Sequence, residues 1–266
     1  KSSILPLSLV NHVRERKLLK MAINHIHFSS QILGKGTSVN VFLPQVKRAH
    51  YPVLYLLHGW SDDCHAWLDN TSLARYGNEY PFIIVMPQVE LSYYTNMFQG
   101  EAYFDFLTQE LPAFIQQWFP VSPRPEATFV AGLSMGGYGA FKWALSYPNQ
   151  FRGAAALSGA LDVVNLWEKD PSRDKRFTRI FGSLAAVKGS ENDLQAITAK
   201  HQATAQHLCL YQSCGTEDFL LSVNRQYARQ WQSQFANYEY QEHPGTHNWA
   251  FWDQEIQTVL AKFAHC

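Results

Sequence analysis

The feature that most limits the fold of this chain is an alternation of two periodicities. From residue 24 onward, short strand patterns are separated by helical stripes. Segments 26–33 and 38–43 alternate apolar and polar residues, as half-buried antiparallel strands do. Segments 53–57 and 82–86 are continuously apolar, as strands covered on both faces are. Further strands are expected at 128–133, 154–158, 208–212 and 238–242. Helices are expected at 64–76, 103–119, 135–146, 220–235 and 249–263. In 103–119 the apolar residues recur on one face and the pattern stops at Pro120. Strands alternating with helices predict an α/β fold, a mostly parallel central sheet with helices on both faces. Residues 161–206 break the rhythm. They are polar and long for a crossover, and are read as a small cap-like insert of short helices over the carboxyl edge of the sheet.

Composition removes several classes of function. The 266 residues carry 22 Lys+Arg against 22 Asp+Glu, which removes the main electrostatic argument for nucleic acid, a ligand that wants a basic face. No apolar run approaches the roughly 20 residues of a membrane span. The four cysteines, Cys64, Cys209, Cys214 and Cys266, follow neither a disulfide nor a zinc spacing, which fits a reducing, cytoplasmic setting. Residues 1–20 hold five basic residues and one acidic one. They are read as an N-terminal extension rather than a signal peptide, because the basic residues follow the weak apolar stretch. One domain is expected over 21–266.

The chemistry is concentrated at Gly132-Leu133-Ser134-Met135-Gly136. With 19 serines and 15 glycines in the chain, random placement would produce this pattern only about 0.06 times. Its setting adds weight, since an apolar strand precedes it and a helix pattern follows. That is the strand–turn–helix of a nucleophile elbow. The glycines make room for the tight turn, and Ser134 projects beside a helix N-terminus that favours developing negative charge. The alternative, a glycine-rich turn without chemistry, leaves the rest of the pattern unexplained.

A serine nucleophile needs a base, and the base an orienting acid, in the chain order Ser, Asp/Glu, His for this architecture. His247 lies in a turn between the last strand and the last helix and is the expected base; His243 is its near rival. Asp218 follows the strand at 208–212 and is the expected acid, with Asp162 as rival. The oxyanion donors are expected to be the backbone N–H groups of Met135 and of Trp60, which follows the strand at 53–57. Buried His58 is expected to be structural. Of the aromatics Trp60, Trp67, Tyr93, Tyr94, Phe98, Phe219 and Trp249, substrate contact is expected from Trp60 and one of Tyr93 and Tyr94.

Together these motifs resemble a family. Tyr51-Pro52-Val53-Leu54-Tyr55-Leu56-Leu57-His58-Gly59, Ala131 through Gly139, Cys214-Gly215-Thr216-Glu217-Asp218-Phe219-Leu220 and Gly245-Thr246-His247 are similar to the esterase D and feruloyl esterase-like group of α/β-hydrolases. That group includes acetyl-xylan esterases and antigen-85 mycolyltransferases. The likeness runs from about Ile23 to Phe263 and is nearest to tributyrin esterases of lactic-acid bacteria and related cocci. It implies the α/β-hydrolase fold and a serine carboxylesterase acting on short-acyl or phenolic esters through an acyl-enzyme. Neither metal nor organic cofactor is implied. The expected partner is a small-molecule ester, with no nucleic acid or membrane, and a homo-oligomer remains open. The alternative is a thioesterase or acyltransferase. The group's esterase D members carry a cysteine-bearing loop straight after His-Gly; here the loop is Trp60-Ser61-Asp62-Asp63, which weighs against S-formylglutathione hydrolase-like activity.

Overall fold

Eight strands form one sheet in the spatial order β1-β2-β4-β3-β5-β6-β7-β8. The structure is a computed structural model and describes residues 21–266. The reading of residues 1–20 therefore lies outside the described residues. β1 (Ala22–Ser30) and β2 (Lys35–Leu43) form an antiparallel hairpin, and β2 pairs antiparallel with β4 (Ile83–Pro87). The strands β3 (Val53–Leu57), β5 (Thr128–Leu133), β6 (Gly153–Leu157), β7 (Cys209–Gly215) and β8 (Tyr238–His243) are parallel to one another and to β4. The fully apolar strands are the central ones: every residue of β3, β4 and β6 is buried, whereas β1 and β8 at the edges are half-exposed. Burial on both faces explains their lack of alternation.

Helices cover the two faces. α1 (Ala66–Asn70) and α2 (Leu73–Gly77) replace the single helix expected at 64–76. The break falls at Thr71, whose hydroxyl bonds back to the Trp67 carbonyl and accepts the Leu73 N–H. Residues 103–118 are helical but not uniformly so. α3 (Tyr103–Asp105) and α4 (Leu111–Trp118) flank a π turn at Phe106–Glu110. Pro112 has no N–H for the Thr108 carbonyl, and the wider turn absorbs that defect. α5 (Met135–Ser146) follows β5 and is buried along nearly its whole length. α10 (Leu221–Trp231) and α11 (Trp249–His265) complete the layers. Among the described residues no helix is long and apolar enough to cross a membrane.

The segment 161–206 folds into α6 (Val163–Lys169), α7 (Asp174–Phe181), α8 (Leu184–Val187) and α9 (Leu194–His201). The side chains of Asp162, Ser183 and Asp193 accept hydrogen bonds from the first-turn N–H groups of α6, α8 and α9.

Lys142, on the elbow helix, is only 1% exposed. Its ammonium donates to the Tyr94 carbonyl at 3.0 Å, the Thr95 hydroxyl at 3.0 Å and the Asn192 amide oxygen at 2.7 Å. It also sits 4.2 Å from the centre of the Phe104 ring. One cation thus ties α5, the loop after β4 and the 161–206 segment together. Burial pulls its pKa down to about 7, opposed by Glu191 and Asp105. Lys142→Met keeps the apolar stem but strands three acceptors. It should lower the unfolding free energy by about 2–4 kcal/mol, read as an earlier urea midpoint at unchanged slope.

Candidate active site

Ser134 joins β5 to α5 with φ 51° and ψ −114°, a conformation rarely adopted by a residue with a side chain. Its neighbours impose it. The Ser134 N–H donates to the Leu157 carbonyl of β6 at 2.9 Å, and its carbonyl accepts the Ala160 N–H at 2.9 Å. The motif's glycines are required by contact. A Cβ on Gly132 would collide with the backbone of Gly136, and one on Gly136 with the carbonyl oxygen of Leu57 at the end of β3. The turn is closed against both neighbouring strands, and its serine stands at the carboxyl edge of the sheet.

Two other loops deliver side chains to the same edge. The loop after β7 carries Asp218, and the loop after β8 carries His247. His247 Nε2 lies 2.9 Å from Ser134 Oγ, and His247 Nδ1 lies 2.8 Å from Asp218 Oδ2. The other oxygen of Asp218 accepts the Leu220 N–H at 2.8 Å, so the carboxylate is held on both sides. The loops also meet through their backbones: the Glu217 N–H donates to the Gly245 carbonyl at 3.0 Å. The His247 ring is gripped between Phe219, 4.6 Å away between ring centres, and Trp252, edge-on at 4.9 Å. The Trp252 indole N–H is in turn anchored on Ser158 Oγ at 3.2 Å.

The rivals are engaged elsewhere. His243 Nδ1 lies 2.7 Å from Glu255 at the end of β8. Asp162 caps α6 by accepting the Asn165 N–H at 2.9 Å. His58 is 1% exposed, with Nδ1 at 2.9 Å from the Gly59 carbonyl and Nε2 at 3.3 Å from the Val89 N–H. Burial holds its pKa down, keeping the ring neutral in a structural role.

The loop after β3 forms the opposite lip. Gly59 packs so closely on the elbow that a Cβ there would meet Leu133 Cδ1 and Asp62 Oδ2. Neither the Trp60 N–H nor the Met135 N–H is hydrogen-bonded to a protein acceptor among the described residues. Asp62, absent from the sequence-based set, accepts the Gly59 N–H at 3.2 Å and so holds this lip. Burial raises its carboxyl pKa, an effect only partly offset by the Gly59 N–H.

A cavity of about 320 Å³ opens over Ser134 and His247. Its walls include Trp60, Tyr93, Leu166, Arg173, Phe219 and Trp249. Tyr93 and Tyr94 are separated by this geometry. Tyr93 faces the cavity, with its ring 5.1 Å from that of Trp60. Tyr94 is fully buried and donates its hydroxyl to the His58 carbonyl at 2.8 Å, so it is removed from the substrate-contact set. Phe219 and Trp249, which the sequence reading set aside, are on the wall. Sequence offered one cue: both flank the loops of the expected acid and base. Among the described residues no group of three or more His, Cys, Asp or Glu side chains is arranged to hold a metal ion.

The sheet order, the elbow at the end of β5 and the loops converging on it define an α/β-hydrolase. The chain belongs to the family described as "Putative esterase", whose model matches residues 30–263. It is 32% identical over 258 residues to an acetyl esterase of Caldicellulosiruptor saccharolyticus, covering 90% of this chain and 97% of that one. Among solved structures, the fluorophosphonate-binding serine hydrolase FphF of Staphylococcus aureus superposes with a TM-score of 0.85 at 32% identity, covering 92% of this chain and 98% of that one. The S-formylglutathione hydrolase FrmB of the same organism superposes at 0.82 and 32% identity, covering 92% and 99%. The protein is a carboxylic ester hydrolase. Because His243 and Asp162 are held outside the Ser134–His247–Asp218 chain, His243→Gln and Asp162→Asn should each leave nitrophenyl acetate turnover within about threefold of the parent.

Proposed function

We propose that the protein is a serine carboxylesterase for short-acyl esters, with Ser134, His247 and Asp218 as nucleophile, base and orienting acid. The observation that carries this reading is the hydrogen-bonded chain from Ser134 Oγ through His247 to buried Asp218, opening onto a cavity. His247 Nε2 takes the Ser134 proton as Oγ attacks the ester carbonyl carbon. Nδ1–H donates to Asp218, which holds the required tautomer and steadies the imidazolium. The oxyanion is received by the Trp60 and Met135 N–H groups, which have no competing protein acceptor among the described residues. Collapse expels the alcohol with the proton from His247, leaving an acyl-enzyme. Water, activated by the same imidazole, releases the acid and restores Ser134. Ser134→Ala should keep the fold and lose turnover by several orders of magnitude. Asp218→Asn should lower kcat by about 10³–10⁴ with little change in KM. A nitrophenyl ester assay with a circular dichroism control separates this from unfolding, and parent-like turnover by Ser134→Ala would end the reading.

The short-acyl preference rests on size. A cavity of about 320 Å³ lies at the small end of the usual range of roughly 300–1,000 Å³ for small-molecule sites. Each methylene that fits adds about 0.8 kcal/mol, but carbons beyond the wall stay in water or shift the carbonyl from its donors. The acetyl esterase relative supports the same direction. Across a nitrophenyl ester series, kcat/KM should peak at about two to six acyl carbons and fall steeply by about ten. A profile still rising at twelve carbons would refute it.

A further inference from the structure

We propose that a groove beside Trp60, lined by Lys175, Arg176 and Arg179, binds an anionic group of the ester substrate, such as a carboxylate. The proposal rests on the esterase reading above and names a substrate class within it. Trp60 is shared by two cavities. One opens over Ser134; the other, of about 630 Å³, is lined by Trp60, Leu91, Met97, Gln99, Ile180 and these three cations. In this proposal a substrate whose carbonyl lies at Ser134 extends past Trp60, the residue common to both linings, toward this second space.

The cations share one side of α7 by spacing: 175 and 179 are four apart, 176 and 179 three apart. Like charges at these separations repel on a helix unless a counter-charge intervenes. None is present. The eight ion pairs among the described residues include none of the three. Of the nearest carboxylates in sequence, Asp170 pairs with Arg173 at 3.0 Å, and Asp174 keeps its charge but accepts the Trp167 indole N–H at 3.0 Å. Arg179 Nε donates to the Gln99 carbonyl at 3.3 Å, a neutral acceptor that leaves its charge uncompensated. Arg173, which lines the cavity over Ser134, is already paired with Asp170, and Asp62 lines the same cavity, so the unpaired cations lie on the far side of Trp60.

The groove is also held in shape. The Phe98 N–H donates to the Ile180 carbonyl at 2.8 Å and the Gln99 N–H to the Arg179 carbonyl at 2.9 Å, fixing α7 against the loop before α3. The Arg176 guanidinium lies 5.7 Å from the centre of the Trp60 ring. That contact seats a planar fork of donors at the junction of the two cavities, the geometry that suits a carboxylate. An anion bound there relieves the repulsion along α7.

Two matched pairs of esters test the proposal and identify which half of the substrate carries the charge. One compares 4-nitrophenyl hemisuccinate with 4-nitrophenyl butyrate; the other compares 3-carboxy-4-nitrophenyl acetate with 4-nitrophenyl acetate. In at least one pair the anionic-to-neutral ratio of kcat/KM should fall severalfold between about 20 mM and 500 mM NaCl. In Lys175→Gln/Arg179→Gln the same ratio should fall about tenfold, mainly through KM, with the neutral ester reporting the state of the cleft. Neutral turnover with no salt or variant effect on either ratio overturns the subsite and leaves the esterase reading standing. If the parent hydrolyses none of the four esters, the esterase reading fails. Calorimetric titration with glutarate then decides the groove: about tenfold weaker binding in the double variant supports it, and equal or absent binding overturns it.

Discussion

The backbone of Ser134 is the constraint on which the rest of the site depends. A residue with a side chain at φ 51° and ψ −114° is strained by an amount of order 1–3 kcal/mol, and persists only where its surroundings over-determine it. Here the surroundings are the two neighbouring strands. β6 takes the Ser134 N–H, and the segment after it supplies a donor to the Ser134 carbonyl. The end of β3 leaves no space for any side chain at Gly136. The central parallel strands are therefore more than a scaffold: their register, Leu57 beside Gly132 and Leu133 beside Leu157, sets the position of the serine oxygen.

From that fixed point the site is assembled by loops from successive strand ends. Parallel strands place all their carboxyl ends on one edge, so side chains more than 180 residues apart in sequence face one cavity. Each loop is secured by contacts that lie outside the reacting atoms. Asp62 holds the lip that carries Trp60, Leu220 holds Asp218, and Trp252 with Phe219 holds the His247 ring. Lys142 performs the same service at larger scale, linking the elbow helix to the Tyr93 loop and to the 161–206 segment through one buried ammonium.

The cavity that results is uneven in character. Around Ser134 its wall is mainly aromatic and apolar, interrupted by Asp62 and Arg173. The second cavity that shares Trp60 with it is lined by the cations of α7, because that helix buries Phe177 and Phe181 and leaves Lys175, Arg176 and Arg179 exposed. The amphipathic pattern of one eight-residue helix thus gives the proposed anion subsite its charge.

Much of this was legible along the chain. Buried strands such as β3 and β6 announce themselves as unbroken apolar runs, and the elbow by glycines whose spacing has a single steric purpose. The order serine, acid, histidine follows from the order of the strands, and so do the loops expected to bear them. What sequence could not supply were the relations between residues on different elements. Tyr93 and Tyr94 are adjacent and chemically alike, yet one faces the cavity and the other lies beneath His58, because two successive residues at positive φ turn the chain between them. Lys142 reads as an ordinary helix cation until packing removes its water, and Asp62 as a loop charge until Gly59 offers its N–H. Periodicity and turn chemistry are local and can be read from neighbours in sequence. Which side chain meets which depends on the packing of segments brought together only by the sheet, and that was decided by the tertiary structure alone.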